Sequence, residues 1–149
     1  MNRRLTLLLC LLLLPLTMSA QRGLNIAGVL DGRYKKNPNT TDIVIKGSQL
    51  AEFHLSYYHS LTVENDATIM DAVVKAFVAD EAEAQDKEVA HTGQRLYYGF
   101  YRLKFNGETN RFVFFKDHRF APGEKRPCVT LIYMEGSASL SFLKMKFKK

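Results

Sequence analysis

One segment with clear helical periodicity, which begins at Asn65, restricts the possible folds most, because most of the other apolar runs alternate like strands. Its apolar residues recur at intervals of three and four, which places them on one side of a helix. Asn65, Asp66 or Thr68 can cap the first turn, because short polar side chains accept hydrogen bonds from free backbone N–H groups. The sequence therefore predicts one central helix, whose apolar stripe consists of Ile69, Val73, Ala76 and Phe77.

Acidic residues dominate the stretch that follows this stripe, where Lys87 is the only base between residues 80 and 88. Negative charges near a helix C-terminus oppose the helix dipole. We therefore predict a frayed and solvated helix end here, rather than a metal or cation site. The acidic residues are Asp80, Glu81, Glu83, Asp86 and Glu88.

Five other segments predict strands, because they are rich in β-branched and aromatic residues. They span residues 41–47, 55–64, 95–105, 111–117 and 128–135. Two of them precede the helix and three follow it. A turn around Gly107 joins the third and fourth segments into a predicted β-hairpin.

The two ends of the chain complete the predicted architecture. Helical spacing over residues 24–30 predicts a short N-terminal helix. The tail, residues 137–149, fits both a helix and a strand, and Ser137 and Ser139 favour the helix as possible caps. The element order indicates an α+β fold. We predict a mostly antiparallel sheet of about five strands, with a central helix and a short C-terminal helix packed on one face.

The hairpin strand Arg95–Phe105 combines aromatic and basic side chains. Because side chains alternate along a strand, Tyr97 and Tyr101 lie on one face, and Tyr98 and Phe100 on the other. If the sheet is covered on both sides, Tyr98 and Phe100 belong to the core. If it is covered on one side, they form an exposed patch that can contact a partner.

The pairing within the hairpin decides where its aromatic side chains point. We expect Leu103 to lie opposite Phe112 across a four-residue loop. Tyr101 then lies opposite Phe114, which builds a core-facing aromatic ladder. On the other face, near the turn, the predicted basic cluster consists of Arg102, Lys104 and Arg111.

The first twenty residues have the pattern of a secretory signal peptide. Two arginines precede an apolar run over residues 5–14, and small residues end at Ala20. The run is shorter than the roughly 20 residues of a membrane-spanning helix. Cys10 follows three leucines, unlike a lipidated cysteine, which follows small residues. We predict a signal peptide at residues 1–20, a single α+β domain at residues 21–149, and a location in the periplasm, the cell envelope or outside the cell.

Charge and motifs give little support to nucleic-acid binding, metal binding or known catalytic chemistry. The 21 basic and 15 acidic residues become 19 and 15 without the two N-terminal arginines, which is too balanced for a nucleic-acid footprint. Cys128 is then the only cysteine, so we expect a buried structural residue and no intramolecular disulfide.

No local His and Cys spacing matches a zinc site. Ser141 and Lys144 lack the companion motifs of penicillin-recognising enzymes. We predict no nucleic-acid partner, metal, cofactor or catalytic residue, and no membrane span after cleavage.

Several segments together resemble a family of small uncharacterised exported proteins from gut-dwelling anaerobic Gram-negative bacteria. The segments are LNIAGVLDGRY, NPNTTDIVIKGSQL, YYHSLTVEND, DKEV, RLYYGFYRL and VTLIYMEGSASLSFLK. In that family a strand ending in IYxEG precedes a short amphipathic helix, which implies a helix for this tail. The family has no established activity, so the resemblance implies a fold and a compartment but no catalytic residue.

The leading functional prediction is a non-enzymatic exported module that binds another envelope protein or a glycan. Tyrosine suits such contacts, because it combines stacking area with a hydroxyl group. The candidate contact residues are Tyr57, Tyr58, Tyr97, Tyr98 and Tyr101, together with Phe100 and Arg102. The alternative is a small hydrolase that uses His59 or His118 with an acid. A homo-oligomer with the hairpin at its edge is a third possibility.

Overall fold

Six strands form one antiparallel sheet in the computed structural model, which describes residues 23–103, 107, 109–123 and 125–147. The strands are β1 (Thr40–Lys46), β2 (Leu55–Glu64), β3 (Ala84–Thr92), β4 (Arg95–Leu103), β5 (Asn110–Asp117) and β6 (Cys128–Gly136), in the order β1-β2-β6-β5-β4-β3. The helices are α1 (Ala67–Ala79) and α2 (Leu140–Phe147), with 3-10 helices at Asn25–Gly28, Gly47–Phe53 and Asp80–Glu83. The predicted α+β fold is confirmed, with six strands instead of about five.

Helix α1 begins and packs as its sequence pattern predicts. The Asp66 side chain accepts a hydrogen bond from the Ile69 N–H at 3.1 Å, so Asp66 is the N-cap. All four residues of the predicted apolar stripe are buried against the sheet. Phe77 has no exposed surface and stacks on Tyr101 and Phe115, at ring-centroid distances of 4.2 and 4.6 Å.

The prediction of a frayed acidic end to this helix is wrong. The helix ends at Ala79, and the Asp80 side chain is buried. Its carboxylate accepts hydrogen bonds from the backbone N–H groups of Asn25 and Ile26 at 2.6 and 2.9 Å. The remaining acids belong to the turn and to β3, a strand at the sheet edge that the sequence analysis missed. Edge strands tolerate charged side chains on both faces, so β3 lacks the apolar alternation that identifies a strand.

The two helices cover opposite faces of the sheet, rather than one face as predicted. Phe77 of α1 contacts Tyr101 of β4, whereas Phe147 of α2 contacts Phe114 at a ring-centroid distance of 6.2 Å. Phe114 lies opposite Phe100, the neighbour of Tyr101 in β4, and neighbouring residues in a strand point to opposite faces. We call the apolar cluster under α1 the first core and the cluster under α2 the second core.

The pairing of β4 with β5 differs by one residue from the predicted pairing. Phe112 lies opposite Arg102 rather than Leu103, and Phe114 lies opposite Phe100 rather than Tyr101. A shift of one residue moves a whole set of side chains to the other face of a sheet. The aromatic ladder of the hairpin therefore faces the second core.

Strands β4 and β5 lie inside the sheet. Each of them pairs with a strand on both sides, so the hairpin cannot be the edge of a homo-oligomer as predicted. The edges are β1 and β3. Whether the chain forms an oligomer stays a prediction.

Some predictions concern parts of the chain outside the described residues. The proposed signal peptide, residues 1–20, is one of them, and so are Lys104 and Phe105 of the hairpin. Across the described ranges, no helix is long and apolar enough to cross a membrane.

Candidate functional site

An apolar pocket of about 320 Å³ opens on the second-core face of the sheet, beside the edge strand β1. Ile43 and Ile45 of β1 form one part of its lining. Leu50 and Phe53, from the 3-10 helix between β1 and β2, form another. The volume lies at the lower end of the range of roughly 300–1,000 Å³ that small-molecule pockets occupy.

The connection between β1 and β2 gives the pocket its side wall. Gly47 starts this connection with a φ angle of 82°, a left-handed conformation that favours glycine. His54 ends it with a φ angle of 53°. Between these two residues the 3-10 helix turns back over the sheet, and Leu50 becomes buried in the second core.

Helix α2 brings Phe147 to the pocket from the other side. Gly136 ends β6 so close to β2 that a Cβ on it would stand 2.6 Å from Leu55 Cα. The Ala138 N–H then donates to the His54 carbonyl at 3.0 Å, and the His54 ring meets Phe142 of α2 edge-on at 4.9 Å. These contacts hold the start of α2 against the 3-10 helix.

Two hydroxyl groups from β2, those of Tyr58 and Ser60, belong to residues that line this otherwise apolar pocket. Tyr58 is half-buried, and Ser60 is only 6% exposed. The described buried side-chain atoms that lack a hydrogen-bond partner are Asp42 Oδ2 and Arg111 Nε, so the Ser60 hydroxyl is not one of them. The described lining residues include no charged side chain and no histidine. The pocket therefore suits an apolar molecule with little or no charge.

Tyr58 is the predicted contact residue that the structure places at this pocket. Tyr98 lies on the same face, where its ring meets Phe114 edge-on at 5.8 Å. Burial, and to a smaller degree the charge of Glu88, raise the pKa of Tyr98. Phe100 is fully buried in the second core. Since both faces of the sheet are covered, Phe100 is a core residue without exposed surface for a partner.

Tyr57 and Tyr101 lie on the first-core face, whereas Tyr97 lies at an irregularity of β4, between the pairs Ala90–Tyr98 and His91–Leu96. Tyr101 is 1% exposed beneath α1, and burial is the main reason that its pKa is raised. Tyr97 and Tyr57 are half-buried. A contact role stays a prediction for Tyr97, whereas Tyr101 is part of the first core.

Arg102 joins the two strands β3 and β4. Its guanidinium forms an ion pair with Asp86 at 2.5 Å and a hydrogen bond with Gln85 at 3.1 Å. Phe112 of β5 lies opposite Arg102 and therefore on the same face of the sheet. Arg111 is the neighbour of Phe112 in β5, so its side chain lies on the opposite face. The predicted basic cluster is therefore wrong for these two arginines.

A buried histidine and carboxylate do occur, on the other face of β1 and β2. His59 Nε2 lies 2.8 Å from Asp42 Oδ1, and the two side chains are 6% and 3% exposed. His59 Nδ1 lies 3.4 Å from the Tyr57 hydroxyl. Both ring nitrogens thus have neighbours within the protein, and neither is positioned to exchange a proton with a molecule in the pocket.

The other features that bear on catalysis lie elsewhere. His118 is in the turn after β5, where its backbone N–H donates to the Cys128 carbonyl at 2.9 Å. Cys128 is buried as predicted, and burial raises the pKa of its thiol. No group of three or more His, Cys, Asp or Glu residues that could hold a metal ion occurs in the described ranges. Nothing in the described residues favours the hydrolase alternative.

The sequence of β2 gives no sign of the pocket, because Tyr58 and Ser60 share their face of the strand with polar residues. Their face carries serines, threonine and glutamate, which is typical of exposure. The available signal for an apolar site was in β1, where Ile43 and Ile45 are two residues apart and so lie on the same face. Matching those isoleucines to Ser60 and Tyr58 requires the β1–β2 register, which the sequence pattern alone leaves open.

The chain matches a known protein family. Neither a curated protein nor a solved structure matches the chain. The profile of a family of unknown function (DUF6108) matches residues 13–147, which is most of the sequence. The chain therefore belongs to this family of unknown function.

Proposed function

We propose that this protein is an exported, non-enzymatic binding module whose apolar pocket holds a small apolar ligand. The pocket is the single observation that carries the proposal. It combines a ligand-sized volume with a wall of isoleucine, leucine and phenylalanine side chains. Removing an apolar molecule from water into such a site is favourable roughly in proportion to the apolar surface that becomes buried.

The character of the pocket changes the class of partner that we favour. A glycan needs hydrogen-bonding groups for its many hydroxyls, and buried polar groups without partners are costly. The described lining offers two hydroxyls and no charged group. An apolar ligand is therefore a better fit to this site than the glycan proposed from the tyrosines alone.

Export is supported by the N-terminal sequence. Two arginines, a short apolar run and small residues ending at Ala20 form the pattern of a secretory signal peptide. The test is to express the full chain with its own N-terminus in a Gram-negative host and to determine the mass of the recovered protein. Recovery outside the cytoplasm, with Gln21 as the first residue, is the expected result. An uncleaved cytoplasmic product would remove export from the proposal.

Binding is tested with matched substitutions on the two faces of β1. Ile45→Trp places a large ring in the pocket, whereas Val44→Trp places it on the other face, where Val44 is 43% exposed. The probe is the neutral dye N-phenylnaphthylamine, excited outside the tryptophan absorption band. We expect the native protein and Val44→Trp to enhance its fluorescence equally and Ile45→Trp to lose the enhancement.

The melting temperatures of both variants show whether either substitution unfolds the domain. If Ile45→Trp stays folded and the dye still binds to it as it does to the native protein, the pocket is not the binding site.

A further inference from the structure

We propose that the ligand is a neutral amphiphile, with one aliphatic chain in the pocket and one uncharged hydrogen-bonding group, such as a hydroxyl or an ester, at Ser60. The inference rests on the proposed function, because it names the ligand class of the same pocket. Three observations carry it: the state of the Ser60 hydroxyl, the polarity of the sheet beyond Ser60, and the charge of the pocket lining.

The Ser60 hydroxyl is the first observation. Ser60 is 6% exposed and lines the pocket, and its hydroxyl is not among the described buried side-chain atoms that lack a partner. A ligand that fills the pocket would cover this hydroxyl, and a hydroxyl that is covered without gaining a partner is unfavourable. A ligand atom that donates or accepts a hydrogen bond would satisfy this group.

The second observation is a change of polarity along the same face of the sheet. Ile43 lies opposite Ser60, and Ile45 lies opposite Tyr58 toward the 3-10 helix. In the other direction, the next residue on this face of β2 is Thr62, which pairs with Thr41 of β1 and Thr130 of β6. Ser60 therefore marks the boundary between the apolar pocket and a row of threonines. An amphiphile lying along β2 would place its chain over the isoleucines and its polar group at this boundary.

The third observation concerns charge. The described residues that line the pocket carry none. The nearest cation in the threonine row is Lys116 of β5, which pairs with Thr130 of β6. Strand β6 lies between β5 and β2. Since neighbouring strands are about 4.8 Å apart, Lys116 is about 10 Å from β2 across the sheet. An ionised carboxylate at Ser60 would be partly desolvated with no cation among the described lining residues, which is costly.

The test uses three ligands with the same chain length: octane, octanol and octanoate. Each displaces N-phenylnaphthylamine from the native protein at a pH near 7.5, and the midpoint concentrations are compared. We expect octanol to bind most tightly. Tighter binding of octanoate, or equal binding of octane and octanol after correction for their partition from water, would overturn the inference.

Substitution of Ser60 links this preference to the proposed contact. Ser60→Ala removes the hydroxyl with little change in volume, so we expect octanol to bind roughly two- to tenfold more weakly and octane to be unaffected. Ser56→Ala is the control, because Ser56 is an exposed serine of the same strand whose hydroxyl donates to the Glu135 carbonyl at 3.3 Å.

The outcomes separate the inference from the proposed function. If all three ligands bind to the native protein and Ser60→Ala changes none of the midpoints, the pocket is a ligand site and the role of Ser60 is wrong. If neither the dye nor any of the ligands binds, the proposed function fails, and the inference fails with it.

Discussion

The ring of Phe77 fills the space that a side chain on Gly99 would occupy. A Cβ at position 99 would stand 2.6 Å from Phe77 Cε1 and nearer still to Cζ. Phe77 has no exposed surface and is held by stacking on Tyr101 and Phe115. We expect Gly99→Ala to lower the free energy of unfolding by about 1–3 kcal/mol, as overpacking of a dense core does. Urea denaturation measures this loss.

Two further variants identify the contact as the cause. Gly28→Ala is the control, because a Cβ there would have no heavy atom within 4 Å. The double variant Phe77→Leu with Gly99→Ala should lose less stability than the sum of the two single variants, since the smaller side chain removes the overlap. Additive losses would show that the strain of Gly99→Ala arises elsewhere.

Helix α1 could be predicted from sequence because its determinants are local. The Asp66 cap and the stripe of apolar residues lie close to each other in the sequence. The gap at Gly99 could also be predicted from strand alternation. That Phe77 fills it depends on how α1 crosses the sheet, and no short-range pattern contains that information.

Strand β3 and the second core could not be predicted, for a different reason. Strand β3 is held by its antiparallel pairing with β4, and its own residues carry little periodicity. A one-residue difference in the hairpin register decides whether Phe112 and Phe114 face α1 or α2. The pocket forms where α2 and the 3-10 helix between β1 and β2 meet on that second face. A prediction that packs both helices on one face of the sheet leaves no place for this pocket.

Asp80 joins the N-terminal 3-10 helix to the end of α1. Asp80→Ala removes the acceptor for the N–H groups of Asn25 and Ile26, and Ile26 has no exposed surface. We expect a loss of about 1–3 kcal/mol for each buried N–H left without a partner. Hydrogen exchange should accelerate at both of these amides.

The control for Asp80 is Asp71→Asn. The Asp71 side chain is 70% exposed and forms a surface ion pair with Arg119 at 3.0 Å. Its loss should cost no more than about 1 kcal/mol. Equal effects of the two substitutions would mean that Asp80 does not anchor the N-terminal segment.

The contact between Asp42 and His59 holds the edge strand β1 to β2 on the first-core face. Asp42→Ala leaves a buried ring N–H without its acceptor, so we expect a loss of about 1–3 kcal/mol and faster hydrogen exchange in β1. Asp42→Asn retains an acceptor oxygen and should lose less. Thr41→Ala, at an exposed neighbouring position, should leave both measurements nearly unchanged. A neutral Asp42→Ala variant would show that the contact adds no stability.

Buried tyrosines predict a loss of stability at alkaline pH. Burial raises the pKa values of Tyr101 and Tyr133, and the nearby carboxylate of Glu135 adds to the shift at Tyr133. The folded protein therefore holds these protons more tightly than the unfolded chain does. The stabilisation is complete below the ordinary tyrosine pKa of 10.0 and is lost as the pH rises above it.

We expect the urea midpoint to fall between pH 10 and pH 11, with each such tyrosine contributing at most about 1.4 kcal/mol per pH unit. Tyr101→Phe removes one titrating hydroxyl from the first core and should reduce the slope above pH 10 without changing it below pH 9. A slope that is the same in the native protein and in Tyr101→Phe would assign the alkaline loss to other groups. Cys128 would then be the next to substitute, since burial also raises the pKa of its thiol from an ordinary value of 9.0.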